Sequence, residues 1–147
     1  MKVVVQRCKY GSVTVDNKLI NEVNEGMVLL VGFNVNDNEE DIDYIVRKVV
    51  NLRIFDDENR VMNKSIIDVT GEILSISQFT LQAKTKDGNR PSYFNAMKGE
   101  DALKLYNLFN QKLNEYVMTY DGVFGADMLV KIDNDGPITI IIDSKDR

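Results

Sequence analysis

Histidine and tryptophan are absent from this 147-residue chain, cysteine occurs once and proline twice. Without histidine there is no Ser-His-Asp triad and no Cys-His dyad, the usual routes to a nucleophile or base at neutral pH. Cys8 is alone, so it forms no internal disulfide, which suits a reducing compartment. With no histidine beside that cysteine, a zinc site would have to rest almost wholly on carboxylates. Glycine-rich phosphate loops are missing too, since neither GxxxxGK[ST] nor GxGxxG occurs. No apolar run approaches the ~18 residues that span a bilayer. The chain opens on Lys2-Val3-Val4-Val5, which reads as a strand and not as a signal segment. We therefore expect a cytoplasmic protein with no membrane partner, no metal and no cofactor.

What is present is ordinary for a globular protein. Hydrophobic residues make up 44% and charged residues 28%, and the length suits one domain covering residues 1–147. The net charge of -5 speaks against broad binding of nucleic acid, DNA included, because phosphate neutralisation supplies most of that affinity. It leaves room for a partner that offers only one end of a polynucleotide. Lys84, Lys86 and Arg90 surround Asp87-Gly88-Asn89 and make one basic loop, which on charge alone reads as a solvated hairpin tip.

Periodicity predicts an α+β fold: a mostly antiparallel, barrel-like sheet with two main helices. Strands are expected at Val3 to Arg7, Ser12 to Val15, Lys18 to Val23 and Met27 to Phe33, with Asp16-Asn17 as a two-residue hairpin turn. Ile42, Ile45, Val46, Val49 and Val50 fall at helical spacing behind Asp37 and Glu40, which are spaced as a capping box. Glu39-Glu40-Asp41 then read as helix-dipole electrostatics. A short strand over Arg53 to Phe55 and another from Glu72 to Leu81 follow. Ala102, Leu105, Phe109, Leu113 and Tyr116 predict a second helix from about Asp101 to Tyr116. Closing strands are expected at Phe124 to Ile132 and Ile138 to Asp143.

Two stretches could carry chemistry. Ser77-Gln78-Phe79-Thr80-Leu81 ends a strand, where backbone N–H groups are free for a ligand beside two hydroxyls, an amide and an aromatic face. Asn134-Asp135-Gly136-Pro137 joins a bare residue to a stiff one, so it offers carbonyl oxygens and hard walls but no acid or base. Gly122 to Met128 reads as a bulged strand or a pocket wall. Taken singly, each has a plain structural reading as a strand end, a turn or core.

Together, Ser77-Gln78-Phe79-Thr80-Leu81 and Asn134-Asp135-Gly136-Pro137-Ile138-Thr139 resemble the paired signatures of the D-aminoacyl-tRNA deacylases. Collinear segments extend the resemblance over nearly the whole chain: Val4 to Arg7, Ser12 to Val15, Leu52 to Phe55, Arg90-Pro91-Ser92 and Phe124 to Met128. Departures are few: Cys8 where valine is usual, Asn89 where arginine is common, Ile138 for valine, and a short tail after Asp143. Asn89 alone bears on function, by making a loop that could meet tRNA less basic.

The resemblance implies hydrolysis of the ester between a D-amino acid, or misattached glycine, and the 3′-terminal adenosine of tRNA. It implies a homodimer in which Gly136-Pro137, joined by a cis peptide, enters the partner's site and rejects L-aminoacyl esters by steric clash. It further implies RNA-assisted catalysis, with the terminal 2′-hydroxyl helping to activate water. The backbone N–H groups of Phe79 and Thr80 are then the candidate oxyanion hole. Ser77 and Gln78 would bind ribose or adenine, Phe124 and Met128 would line the pocket with Phe79, and Arg7 would hold the Gly-Pro loop through its backbone. Lys84, Lys86 and Arg90 would face acceptor-end phosphates. Two other classes stay open on the residues alone. One is a non-catalytic RNA-end or nucleotide-binding module; the other is an ester hydrolase with Thr80 as nucleophile.

Overall fold

The computed structural model describes all residues, Met1–Arg147. Its spine is β1 (Lys2–Val15), a 14-residue strand that pairs with three others. β2 (Lys18–Val23) and β3 (Gly26–Gly32) run antiparallel to its C-terminal and N-terminal halves respectively. The two expected strands at Val3 to Arg7 and Ser12 to Val15 are thus one. The β1–β2 turn holds Asp16 and Asn17 at φ 49° and 63°, the left-handed pair that a type I′ hairpin demands.

α1 (Glu39–Asn51) follows β3 and buries Ile42, Ile45, Val46, Val49 and Val50, the stripe that the spacing predicts. Its capping box lies one residue later than expected. The Asn38 side chain accepts from the Glu40 amide at 2.9 Å, and the Asp41 carboxylate accepts from the Asn38 amide at 3.0 Å. Asp37 is occupied elsewhere: it meets the Met1 ammonium at 2.7 Å and accepts from the Asn34 amide at 2.6 Å. The short strand expected at Arg53 to Phe55 is β4 (Phe55–Asp56), paired with β5 (Met62–Lys64) around the Asp57 turn.

β6 (Glu72–Ser77) lies parallel to β3, and β7 (Thr119–Asp121) lies parallel to β6. Those pairs follow α1 and α2 (Gly99–Asn114), because parallel neighbours need a crossover long enough to return the chain. The sheet is therefore mixed: antiparallel around β1, parallel from β3 through β7. α2 buries Ala102, Tyr106, Phe109, Asn110 and Leu113. Tyr106 takes the inward place given to Tyr116, which is more than half exposed because the helix ends before it. The Tyr106 hydroxyl donates to the Ser75 carbonyl at 2.8 Å, so the ring can be buried without an orphan polar group. Both helices pack on one sheet face over a core that includes Val3, Leu29, Ile45 and Phe109.

The chain closes with β8 (Leu129–Asp143), antiparallel along β1. This replaces the two closing strands; Phe124 to Met128 form a turn ahead of it instead of its first residues. No helix is long and apolar enough to cross a membrane.

Candidate active site

The cleft forms where β3 and β6 end together. Val31 is opposite Ser77, and beyond it Gly32 lies against the chain that leaves β6. A Cβ at Gly32 would come within 2.6 Å of the Gln78 carbonyl, so only glycine lets the two segments approach so closely. β6 stops at Ser77 and the expected strand to Leu81 becomes a 3₁₀ turn over Phe79–Gln82. Buried Gln82 fastens this turn to β3 by donating to the Gly32 carbonyl at 2.8 Å.

The first two amides of that turn, on Phe79 and Thr80, donate to no acceptor in the chain. The flanking amides are spent: Gln78 donates to Val31 at 2.6 Å and Leu81 to Gln78 at 3.3 Å. A helical turn leaves its leading N–H groups unpaired by geometry, so two adjacent donors stand free at the end of a buried strand. The Gln78 side-chain amide donates to the Thr80 hydroxyl. That hydroxyl has no carboxylate or amine as a partner.

The cleft encloses about 700 Å³. Ser77, Gln78, Phe79, Phe124 and Met128 all line it, bringing together five of the residues that the sequence singles out. Another part of the lining was not foreseen: Tyr93, Met97 and the start of α2 at Lys98-Gly99; Asp127, in the stretch read as a pocket wall, joins it. Tyr93 meets Phe79 edge-on at 5.1 Å, and Phe124 leans on buried Tyr106 at 5.7 Å. The available signal was Arg90-Pro91-Ser92, which immediately precedes Tyr93. Cys8 lies outside the cleft, and burial pushes its thiol up to about 11, so the one cysteine is not a ready nucleophile.

Gly136 and Pro137 are not in this cleft. Along β1, Gln6 is opposite Thr139 and Cys8 opposite Asn134, so residues 135–138 bulge out across from Arg7. Both members of the pair are exposed, and their peptide bond is cis. Arg7 is opposite Met27, four residues and roughly 13 Å of strand from Val31, with β1 and β3 between the bulge and β6. Asn134 clamps the bulge. Its Nδ2 donates to the carbonyls of Arg7 at 2.9 Å and Ile138 at 3.0 Å, while its Oδ1 accepts from Gln6 and Thr139 at 3.2 Å each. Arg7 was expected to hold the loop by its backbone. Instead its Nε pairs with the Asp135 carboxylate at 3.0 Å and its Nη1 donates to the Ile54 carbonyl at 2.7 Å. Lys84 pairs with Ser92 in the stem of a loop that carries Lys86 and Arg90 at its exposed end.

A family model described as D-Tyr-tRNA(Tyr) deacylase matches residues 4–143. The chain belongs to this family. A relative from Flavobacterium psychrophilum, described as a D-aminoacyl-tRNA deacylase, is 52% identical over 151 residues, covering 100% of this chain and 99% of the relative. Among solved structures, one titled c-Myc DNA Unwinding Element Binding Protein shares 41% identity at a TM-score of 0.93, covering 97% of this chain and 98% of its own. Another, titled as a probable eukaryotic D-amino acid tRNA deacylase, has a TM-score of 0.81 at 17% identity, over 96% and 97% of the two chains. At that identity the likeness shows the shared fold. For a member of the D-Tyr-tRNA(Tyr) deacylase family, the two features to explain are a cleft with free amides and an exposed Gly-Pro bulge set apart from it.

Proposed function

We propose that this enzyme hydrolyses the ester joining a D-amino acid, or glycine, to the 3′-terminal adenosine of tRNA. The observation that carries the mechanism is the pair of unpartnered amides on Phe79 and Thr80 just past the end of β6, where Phe79 lines an aromatic-walled cleft and Thr80 follows it. In the reaction, water oxygen bonds to the ester carbonyl carbon, and the carbonyl oxygen gains negative charge. Two fixed N–H donors stabilise that charge more in the transition state than in the ground state; removing one such donor typically costs ~10²–10³ in rate. The C–O3′ bond then breaks, the ribose oxygen takes a proton, and the free amino acid leaves.

The proton of the attacking water passes to the RNA. The terminal 2′-hydroxyl adjoins the ester, and the chain has no histidine to take its place. The Thr80 hydroxyl does not serve as nucleophile: it is bonded to the Gln78 amide and no base adjoins it. Ser77 and Gln78 bind the ribose or adenine, with Phe79, Phe124 and Met128 as the apolar walls.

Handedness comes from a second copy. Gly136-Pro137 of one subunit enters the partner's cleft, its carbonyls accept the α-ammonium, and its bulk fills the space of an L side chain. Its exposure and its distance from the same chain's cleft support delivery across a dimer. Arg7 and Asn134 position the bulge from beneath.

The test is turnover of D-tyrosyl-tRNA, L-tyrosyl-tRNA and a simple D-tyrosine ester. Cleavage of the first alone is expected. Equal cleavage of both enantiomers would sink the chiral filter, and binding without turnover would leave a nucleic-acid-end binding module.

A further inference from the structure

Phe94 is 86% exposed, the most exposed large apolar residue of the chain, yet it is not on a loose loop. Its turn closes with the Ala96 amide donating to Tyr93 at 3.0 Å. The turn is fastened to the end of β3 by Val35 donating to Asn95 at 3.0 Å and Met97 to Phe33 at 2.9 Å. A backbone closed on itself and anchored at two points presents a bare aromatic ring to solvent. Its neighbour Tyr93 turns inward and lines the cleft. Burial of Phe94 against something outside the chain would recover apolar area that folding leaves in water.

The surroundings fix the chemistry of that partner. Between Lys84 and Lys98 the chain places four cations, Lys84, Lys86, Arg90 and Lys98, against one carboxylate, Asp87, within a protein of net charge -5. All four cations are exposed and none forms an ion pair, a state they share with Lys18, Lys48 and Lys131; what sets them apart is that four fall within fifteen residues beside a single carboxylate. Cations on both sides of an exposed ring in the sequence, Lys84 bridged to Ser92 and Lys98 lining the cleft, suit a single-stranded nucleic acid, whose bases stack and whose phosphates carry the charge.

We propose that Phe94 is a stacking platform for the base that precedes the terminal adenosine, with the flanking cations on its phosphates. This rests on the reading of the cleft as the site for the terminal aminoacyl-adenosine. It adds that the enzyme grips its substrate one nucleotide further in. The ring reads no base edge, so the subsite is indifferent to which base stacks.

The test compares wild type, Phe94→Ala and Phe94→Trp on three substrates: D-tyrosyl-tRNA, the same tRNA abasic next to its terminal adenosine, and D-tyrosyl-adenosine alone. Base–aromatic stacking predicts that Phe94→Ala lowers kcat/KM on the intact tRNA by about 5- to 100-fold. Phe94→Trp keeps it, and cleavage of D-tyrosyl-adenosine is unchanged in both. Wild type loses a similar factor on the abasic tRNA, and Phe94→Ala adds no further loss there. Unchanged turnover of intact tRNA by Phe94→Ala would overturn the proposal. So would an equal loss on D-tyrosyl-adenosine, or a change in sedimentation showing that Phe94 meets a second copy. If wild type cleaves none of the three, the deacylase reading fails, and binding of a CCA trinucleotide decides the platform. Weaker binding by Phe94→Ala sustains it, and equal binding ends it.

Discussion

Arg7 and Asp135 form a 3.0 Å ion pair that ties the middle of β1 to the residue just before Gly136. Arg7 is almost wholly buried, and its Nη1 also donates to the Ile54 carbonyl. Arg7→Ala leaves that carbonyl without its partner and the Asp135 carboxylate with only Lys9, at 3.6 Å, at a cost of ~1–3 kcal/mol in urea denaturation. Because Asp135 leads directly into the bulge, activity on D-tyrosyl-tRNA should fall further than the stability loss explains. Activity that tracks the folded fraction alone would reduce Arg7 to a structural role.

Gly136 holds φ 114°, and a Cβ there would come within 2.8 Å of the Ile138 side chain and 2.9 Å of its amide nitrogen. Gly136→Ala must distort the bulge, with ~1–3 kcal/mol of local strain. Gly136 and Pro137 are exposed and only Ile138 of the bulge packs against the core, so the global melting temperature should move by only a few degrees. Discrimination should suffer most: the D-to-L ratio of kcat/KM on tyrosyl-tRNA is expected to drop at least ~10-fold, since ~1.4 kcal/mol is a factor of ten. An unchanged ratio would remove the bulge from the filter.

Thr80 has an unpaired amide and a hydroxyl that accepts from the Gln78 side chain. Thr80→Ala keeps the amide, so it should retain kcat within about tenfold, against the ~10²–10³ cost of losing an oxyanion donor. A tRNA ending in 2′-deoxyadenosine should lose most turnover with the unaltered enzyme. The reverse pattern, a dead but folded Thr80→Ala and a competent 2′-deoxy substrate, would make the hydroxyl the nucleophile.

Stability in acid should depend on Asp41. Burial alone would raise its carboxyl. Lys145, which donates to both of its oxygens at 2.8 Å, Ser144 and the Asn38 amide together hold it well below the usual carboxylate range. The native state then binds fewer protons than the unfolded chain. The stabilisation is complete above the unfolded value of about 3.9 and is lost as pH falls below it. Lys145→Ala removes the strongest partner, so the acid unfolding midpoint, followed by circular dichroism, should move to higher pH. The gap from wild type should shrink as the pH falls below about 3.

Much of this architecture was legible in the chain. The α1 stripe and the Asp16-Asn17 turn follow from local periodicity and backbone chemistry, and the structure has them where the residues predict. Boundaries moved where tertiary partners intervene. Asp37 is drawn off by the Met1 ammonium, which passes the cap to Asn38. Gln82 and Gly32 coil the end of the expected strand into a 3₁₀ turn. The merger of β1 and of β8 into single long strands depends on their pairing with each other, which no local pattern displays. Two parts of the cleft lining could be read because each is a short consecutive stretch, Ser77 to Phe79 and Phe124 to Met128. Tyr93, Met97 and Lys98 reach it through a turn bonded to β3, and Asn134 shows its role as clamp only once the bulge exists.

The interval of sheet between the bulge and the cleft has a practical meaning under the proposed mechanism. A lone subunit would own the machinery for breaking the ester but not the gauge that inspects it, since each gauge serves its mate. Dilution should therefore make the protein careless before it makes it idle.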